Sequence, residues 1–425
     1  MTFSAFGARL FLKRMVSILL GLSIFWVATV ATAGPISDCT EARKKGDFAP
    51  SAECLRAEAD QGGASAQCLL GVMYENGEGV IQDYAQAVKW YQKAAEQGET
   101  LSQNFLGLMY EKGKGVTQDY EQAVKWYQKA ADQGSADAQS SLCHLYYVGE
   151  GVTQDYAQAL KWCQKAADQR DARAQFVLGQ MFANGHGVLQ DSTQAVAWYQ
   201  KAADQGVAIA QVVLGFMYQH GESVTQDYAQ AVKWYKKAAD QGDPFAQHTL
   251  GVMYDTGNGV AQDYEQAVEW FQKAADQGDA GAQLYLATAY GKGLGLTQDY
   301  VQAVKWLRKA ADQGHPGAQY GLAFAYHNGL GLTQDYTQAV KWFQKAADQG
   351  DALAQNLLGF IYVEGHGVTQ DYAQAHKWFN LAAARGKLDA AKSRDLVAQL
   401  MTPAQIAEAQ KLARDWKPQK PELKD

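Results

Sequence analysis

The 425-residue chain lacks the short signatures that announce catalysis. It has no Ser-x-x-Lys, Gly-x-Ser-x-Gly, His-Glu-x-x-His or Cys-x-x-Cys, so the common nucleophile, zinc-hydrolase and dithiol chemistries have no local anchor. Its eight histidines are scattered and none is followed four residues later by another, which removes the one-face helical spacing of a zinc site. No carboxylate pair stands out as an acid–base couple, and no cofactor motif is present. Excess positive charge is also missing. The formal net charge is -7, and an acidic surface repels phosphates, which argues against a nucleic-acid partner.

Long apolar runs are confined to the beginning. Arg9, Lys13 and Arg14 precede an apolar run from Met15 to Val30, shorter than the roughly 20 residues of a membrane span. The small triplet Ala31, Thr32, Ala33 follows, so residues 1–33 read as a secretory signal cut after Ala33; an uncleaved anchor is the alternative. No lipobox stands before Cys39, which Ile36, Ser37 and Asp38 precede. Cleavage takes away three basic residues, bringing the mature chain to a charge of -10, and leaves no transmembrane segment. The expected location is the periplasm or outside the cell. All five cysteines lie beyond the cut, where an exported chain meets oxidising conditions. Cys143 with Cys163 is the first candidate disulfide and Cys39 with Cys54 the second; the odd number leaves at least one cysteine unpaired within the chain unless it is bridged to something else. The competing expectation is that each is simply a small buried residue.

What the sequence has in abundance is repetition. Trp90, Trp126, Trp162, Trp198, Trp234, Trp270, Trp306, Trp342 and Trp378 recur at a constant spacing of 36. Nine units follow: 64–99, 100–135, 136–171, 172–207, 208–243, 244–279, 280–315, 316–351 and 352–387. Constant length over most of the chain predicts stacked repeats. Each unit reads as two helices. In the first, helix A covers about 65–76 and helix B about 84–97, and Ala87, Trp90, Tyr91, Ala94 and Ala95 form the buried stripe of B. Asp83 and Gln86 read as an N-terminal capping box, and Gly77 and Gly98 as left-handed helix stops. Gly77 and Gly79 form a Gly-x-Gly, but no strand precedes them as a phosphate loop requires.

The pattern LGxxYxxGxGVxQDYxQAxxWYxKAAxQG resembles the Sel-like repeat, a relative of the tetratricopeptide repeat, over about residues 38–416. The resemblance implies an all-α, right-handed solenoid of helix-turn-helix repeats with a concave groove, acting as an adaptor in protein complexes, often at the bacterial envelope. Some cysteine-rich members of the family are described as β-lactam-binding or β-lactamase-like, which makes an envelope enzyme the alternative function. This chain lacks their cysteine pair in each repeat. A role in envelope polysaccharide assembly is a third possibility.

The ends depart from the pattern as solenoid ends should. Residues 38–63 read as a shortened N-terminal cap, 388–416 as a helical C-terminal cap, and 417–425 as a disordered tail. Within the repeats, helix A positions that differ from copy to copy are free to serve a partner. The positions of Cys68, Val72 and Glu75 vary widely, and the first two give a candidate groove for a protein or peptide at Phe176, Phe216, His248, Tyr320, Phe324 and Phe360. The competing reading is that these aromatics pack between repeats.

Overall fold

The computed structural model describes residues 35–419; the expected signal segment and the end of the tail lie outside these. Among the described residues all regular structure is helical, in 22 α-helices. Each repeat contributes two helices of 13 residues, Ala64–Asn76 (A) and Tyr84–Glu96 (B) in the first. Helix B starts where Asp83 accepts hydrogen bonds from the backbone N–H groups of Ala85 and Gln86. The expected capping box is only half made. The Asp83 N–H already donates to the Tyr74 carbonyl at 2.9 Å, so the Gln86 side chain has no orphan donor to satisfy. A complete box does form at Thr402 and Gln405. Helix A stops at Gly77, whose φ of 75° a side chain would strain.

Packing within a repeat sets a small residue against a large one. A Cβ added to Gly71 would stand 2.6 Å from the Tyr91 ring, so glycine there is what lets the two helices close over that tyrosine. Leu70, Ala87, Tyr91 and Ala94 are fully buried around the contact. Full burial of one leucine contributes about 1.5–3 kcal/mol, and the same position is leucine in every repeat.

Between repeats, a buried glutamine on helix A does the joining. Gln103 Nε2 donates to the Ala95 carbonyl of the preceding helix B at 3.1 Å, and its Oε1 accepts from Gln133 Nε2 at 2.8 Å. Gln139 does the same with Ala131 and Gln169, and Gln283 with Ala275 and Gln313. A buried amide bonded through both its nitrogen and its oxygen fixes register, since a slipped stack would strand it. In the last repeat Arg385 takes the role of the donating glutamine, reaching Gln355 Oε1.

On the outer side of helix B, the lysine three residues after the tryptophan lies over the indole, as Lys93 over Trp90 at 4.0 Å and Lys273 over Trp270 at 3.8 Å. Repeat 9 replaces that lysine with Leu381, and the helix Pro403–Asp415 packs there, bringing Ala413 and Trp416 into one cluster with Trp378 and Leu381. At the other end, the helices Pro35–Lys44 and Phe48–Asp60 set Leu55 and Ala59 against Leu70 and Met73.

The chain divides into two compact bodies. The first ends at Met217 and includes Gly221–Thr225; the second takes Tyr218–His220 and continues from Gln226. In each, helix B of one repeat packs on helix A of the next, so each body is an α-solenoid.

Candidate protein interface

The two variable columns of helix A have different fates. The Cys68 column faces the next repeat. Ser140 Oγ donates to Asp171 Oδ1 at 2.8 Å, and His248 Nδ1 lies 2.8 Å from Asp279 Oδ1. Both aspartates are N-caps of the following helix A, where they accept from Ala174 and Ala282. A side chain in this column thus braces the start of its neighbour.

Phe176 belongs to that column and corrects the expectation of a binding residue. It is 1 % exposed, with its ring 5.6 Å from Tyr199. His248 and Tyr320 are half-buried in the same column. His248 sits edge-on to Phe271 at 5.3 Å, and Tyr320 edge-on to Phe343 at 5.8 Å. These are bracing contacts whose outer edges reach solvent.

The Val72 column is more open, and differs between the bodies. In the first body Val72 and Gln180 are buried and Phe216 is half-buried. In the second, Val252, Phe324 and Phe360 are 39 %, 42 % and 38 % exposed. Each phenylalanine is backed by another ring: Tyr320 stacks behind Phe324 at 6.4 Å, and Phe379 meets Phe360 edge-on at 4.9 Å. Leu353, also exposed, starts the helix that carries Phe360. Rings held from behind and open in front lose little entropy when covered, which is the economy of a protein-binding anchor.

Disulfides join Cys143 to Cys163, with Cα atoms 4.8 Å apart, and Cys39 to Cys54, 5.6 Å apart. Cys68 is a buried free thiol, and burial pushes its pKa well above the ordinary value, so it carries no nucleophilic chemistry. Among the described residues no cluster of three metal-ligating side chains occurs, and no helix is long and apolar enough to cross a membrane. His186 and His366 stack flat on Tyr156 and Tyr336 of the preceding repeats, at 4.5 Å and 4.9 Å. A cleft walled by Gln344, Tyr362, Gln370, Lys377 and Trp378 uses residue types that recur in most repeats, so its chemistry singles out no ligand.

Nine consecutive segments, 64–99, 100–135, 136–171, 172–207, 208–243, 244–279, 280–315, 316–351 and 352–387, match the Sel1 repeat. The chain belongs to the Sel1 repeat family. Its fold is similar to that of c5321, a protective antigen present in uropathogenic Escherichia coli strains and displaying an SLR fold. Identity is 34 % over 91 % of this chain and 94 % of that one, with a TM-score of 0.54. A Sel1 repeat protein from Oxalobacter formigenes is 33 % identical over 81 % of this chain and 99 % of its own, also with a TM-score of 0.54. No curated protein is a significant match. Sel1 repeat proteins are scaffolds that bind other proteins and are typically non-catalytic.

Proposed function

We propose that this Sel1 repeat protein is an exported envelope scaffold that holds a protein partner on the helix A strip of repeats 6 to 9, with Phe324 and Phe360 as anchors. The observation that carries this is the open Val72 column of the second body, where backed aromatic rings face solvent at successive repeats. An amphipathic helix or extended segment with apolar residues fits such a strip. Two disulfides support passage through an oxidising compartment. The similarity to an antigen of uropathogenic Escherichia coli supports exposure outside the cytoplasm.

Site-specific photo-crosslinking tests the reading. A photoreactive residue at position 324 or 360, introduced in cells expressing the full chain, should capture one discrete polypeptide. The same probe at Lys236, exposed on helix B, should not. The polypeptide is then purified and its binding to the purified chain measured. Equal capture from position 236, or no binding by the isolated pair, would remove the proposal.

A further inference from the structure

The succession of A-type helices in the second body stops at Leu388–Ala398. The next helix, Pro403–Asp415, turns back to pack on the B helix Tyr372–Ala384 instead of covering the far side of Leu388–Ala398. Ala390 and Val397 point inward and are buried. The outward side carries Leu388, Leu396 and Leu400, which are 79 %, 63 % and 62 % exposed. Exposed Lys392, Asp395 and Gln399 complete the stripe. Positions 388, 392 and 396 fall within about 80° of one another around the helix, and exposed Leu400 follows in the turn just past its end, where its N–H bonds to the Val397 carbonyl at 2.9 Å. The face that closes a solenoid is normally polar, since no further repeat covers it. Three leucines grouped there differ from the single apolar residues that any surface carries.

We infer that this face pairs with the same face of a second copy of the chain, antiparallel about a twofold axis near Arg394. The stripe is complementary to itself in that arrangement. Leu388 meets the partner's Leu400, and Leu396 lies along the methylene stem of the partner's Lys392. The Lys392 ammonium then stands beside the partner's Asp395, whose Oδ1 in its own chain is held by Arg394 at 2.7 Å. Parallel pairing would set lysine against lysine and aspartate against aspartate, so charge selects the antiparallel form. A single helix face supplies less than the roughly 800 Å² per partner of a standard interface. The dimer is therefore weak and reversible, with a dissociation constant on the order of 10–100 µM.

Sedimentation velocity of the purified chain from about 1 to 200 µM, a range bracketing that constant, tests the inference. The sedimentation coefficient should rise from the monomer toward the dimer value. Leu396→Glu with Leu400→Glu, both at solvent-facing positions, should keep the native circular dichroism and stay monomeric throughout. Lys392→Glu, which keeps the leucines, should weaken the dimer about fivefold by facing the partner's Asp395. A wild-type chain that remains monomeric over the range overturns the inference, and so does a dimer untouched by both variants, whose contact must then lie elsewhere.

Discussion

Cys143 and Cys163 are bonded across the two helices of repeat 3 at the positions that Gly71 and Tyr91 hold in repeat 1. The disulfide thus replaces a small-against-aromatic contact with a covalent one at the same place. It closes a segment with a sequence separation of 20, and closing a loop of that size stabilises by about 3 kcal/mol. Cys143→Ala with Cys163→Ala should lower the denaturant midpoint accordingly. Cys143→Gly with Cys163→Tyr should recover much of the loss and be indifferent to reductant. If the second pair is no better than the first, the equivalence of the two contacts is wrong.

The glutamine ladder makes a local prediction. Gln247→Leu removes two bonds across the joint, from Gln247 to the Ala239 carbonyl and from Gln277 to Gln247, while Gly242 still pairs with both the Ala239 carbonyl and the Gln277 amide. Each lost bond costs about 1 kcal/mol net. Hydrogen exchange should quicken in Tyr228–Asp240 and Pro244–Thr256, the helices on either side, and less in distant repeats. Uniform quickening along the chain would contradict a nearest-neighbour joint.

Arg170 adopts a φ of 66° where the other repeats place glycine at the end of helix B. The left-handed region costs a side chain roughly 1–2 kcal/mol. Arg170→Gly should therefore raise the unfolding free energy by about 1 kcal/mol, less the extra freedom glycine gives the unfolded chain, and the midpoint with it. A lower midpoint would show that the Arg170 side chain has a stabilising role of its own.

Acid should loosen the fold through three histidines. Burial holds His144, His327 and His376 below the ordinary imidazole value of 6.5, helped by the charge of His366 at His327 and of Arg394 at His376. The unfolded chain binds these protons more readily, so the stability of the neutral rings is present above pH 6.5 and is lost as pH falls toward the lower folded values. Urea midpoints should decline through that window, and His376→Gln should flatten the decline. A midpoint that rises on acidification through the window would reverse the sign.

The repeat was legible because tryptophan marks it at every turn and Asp and Gly punctuate each helix, placing helix ends to within a residue. The interface was less so. Phe176 and Phe324 look alike in sequence, yet one braces the next repeat and the other faces solvent, because they occupy different columns of helix A. The column itself was the signal: Ser140 and His248, at the Phe176 position of other repeats, reach the N-cap aspartates 31 residues on. The buried glutamines went unread for the opposite reason. Their sameness resembles surface polarity until the stack shows which carbonyl each one meets.

The most direct measurement is the affinity of the purified crosslinked partner for wild-type chain, Phe324→Ala with Phe360→Ala, and Phe176→Ala. Truncating two aromatic anchors should weaken binding by about 30-fold or more, with the unfolding midpoint little changed. Phe176→Ala should instead cost about 3–5 kcal/mol of stability, because its ring is sealed in the stack. Unchanged affinity in the folded double variant would contradict the strip as the binding face.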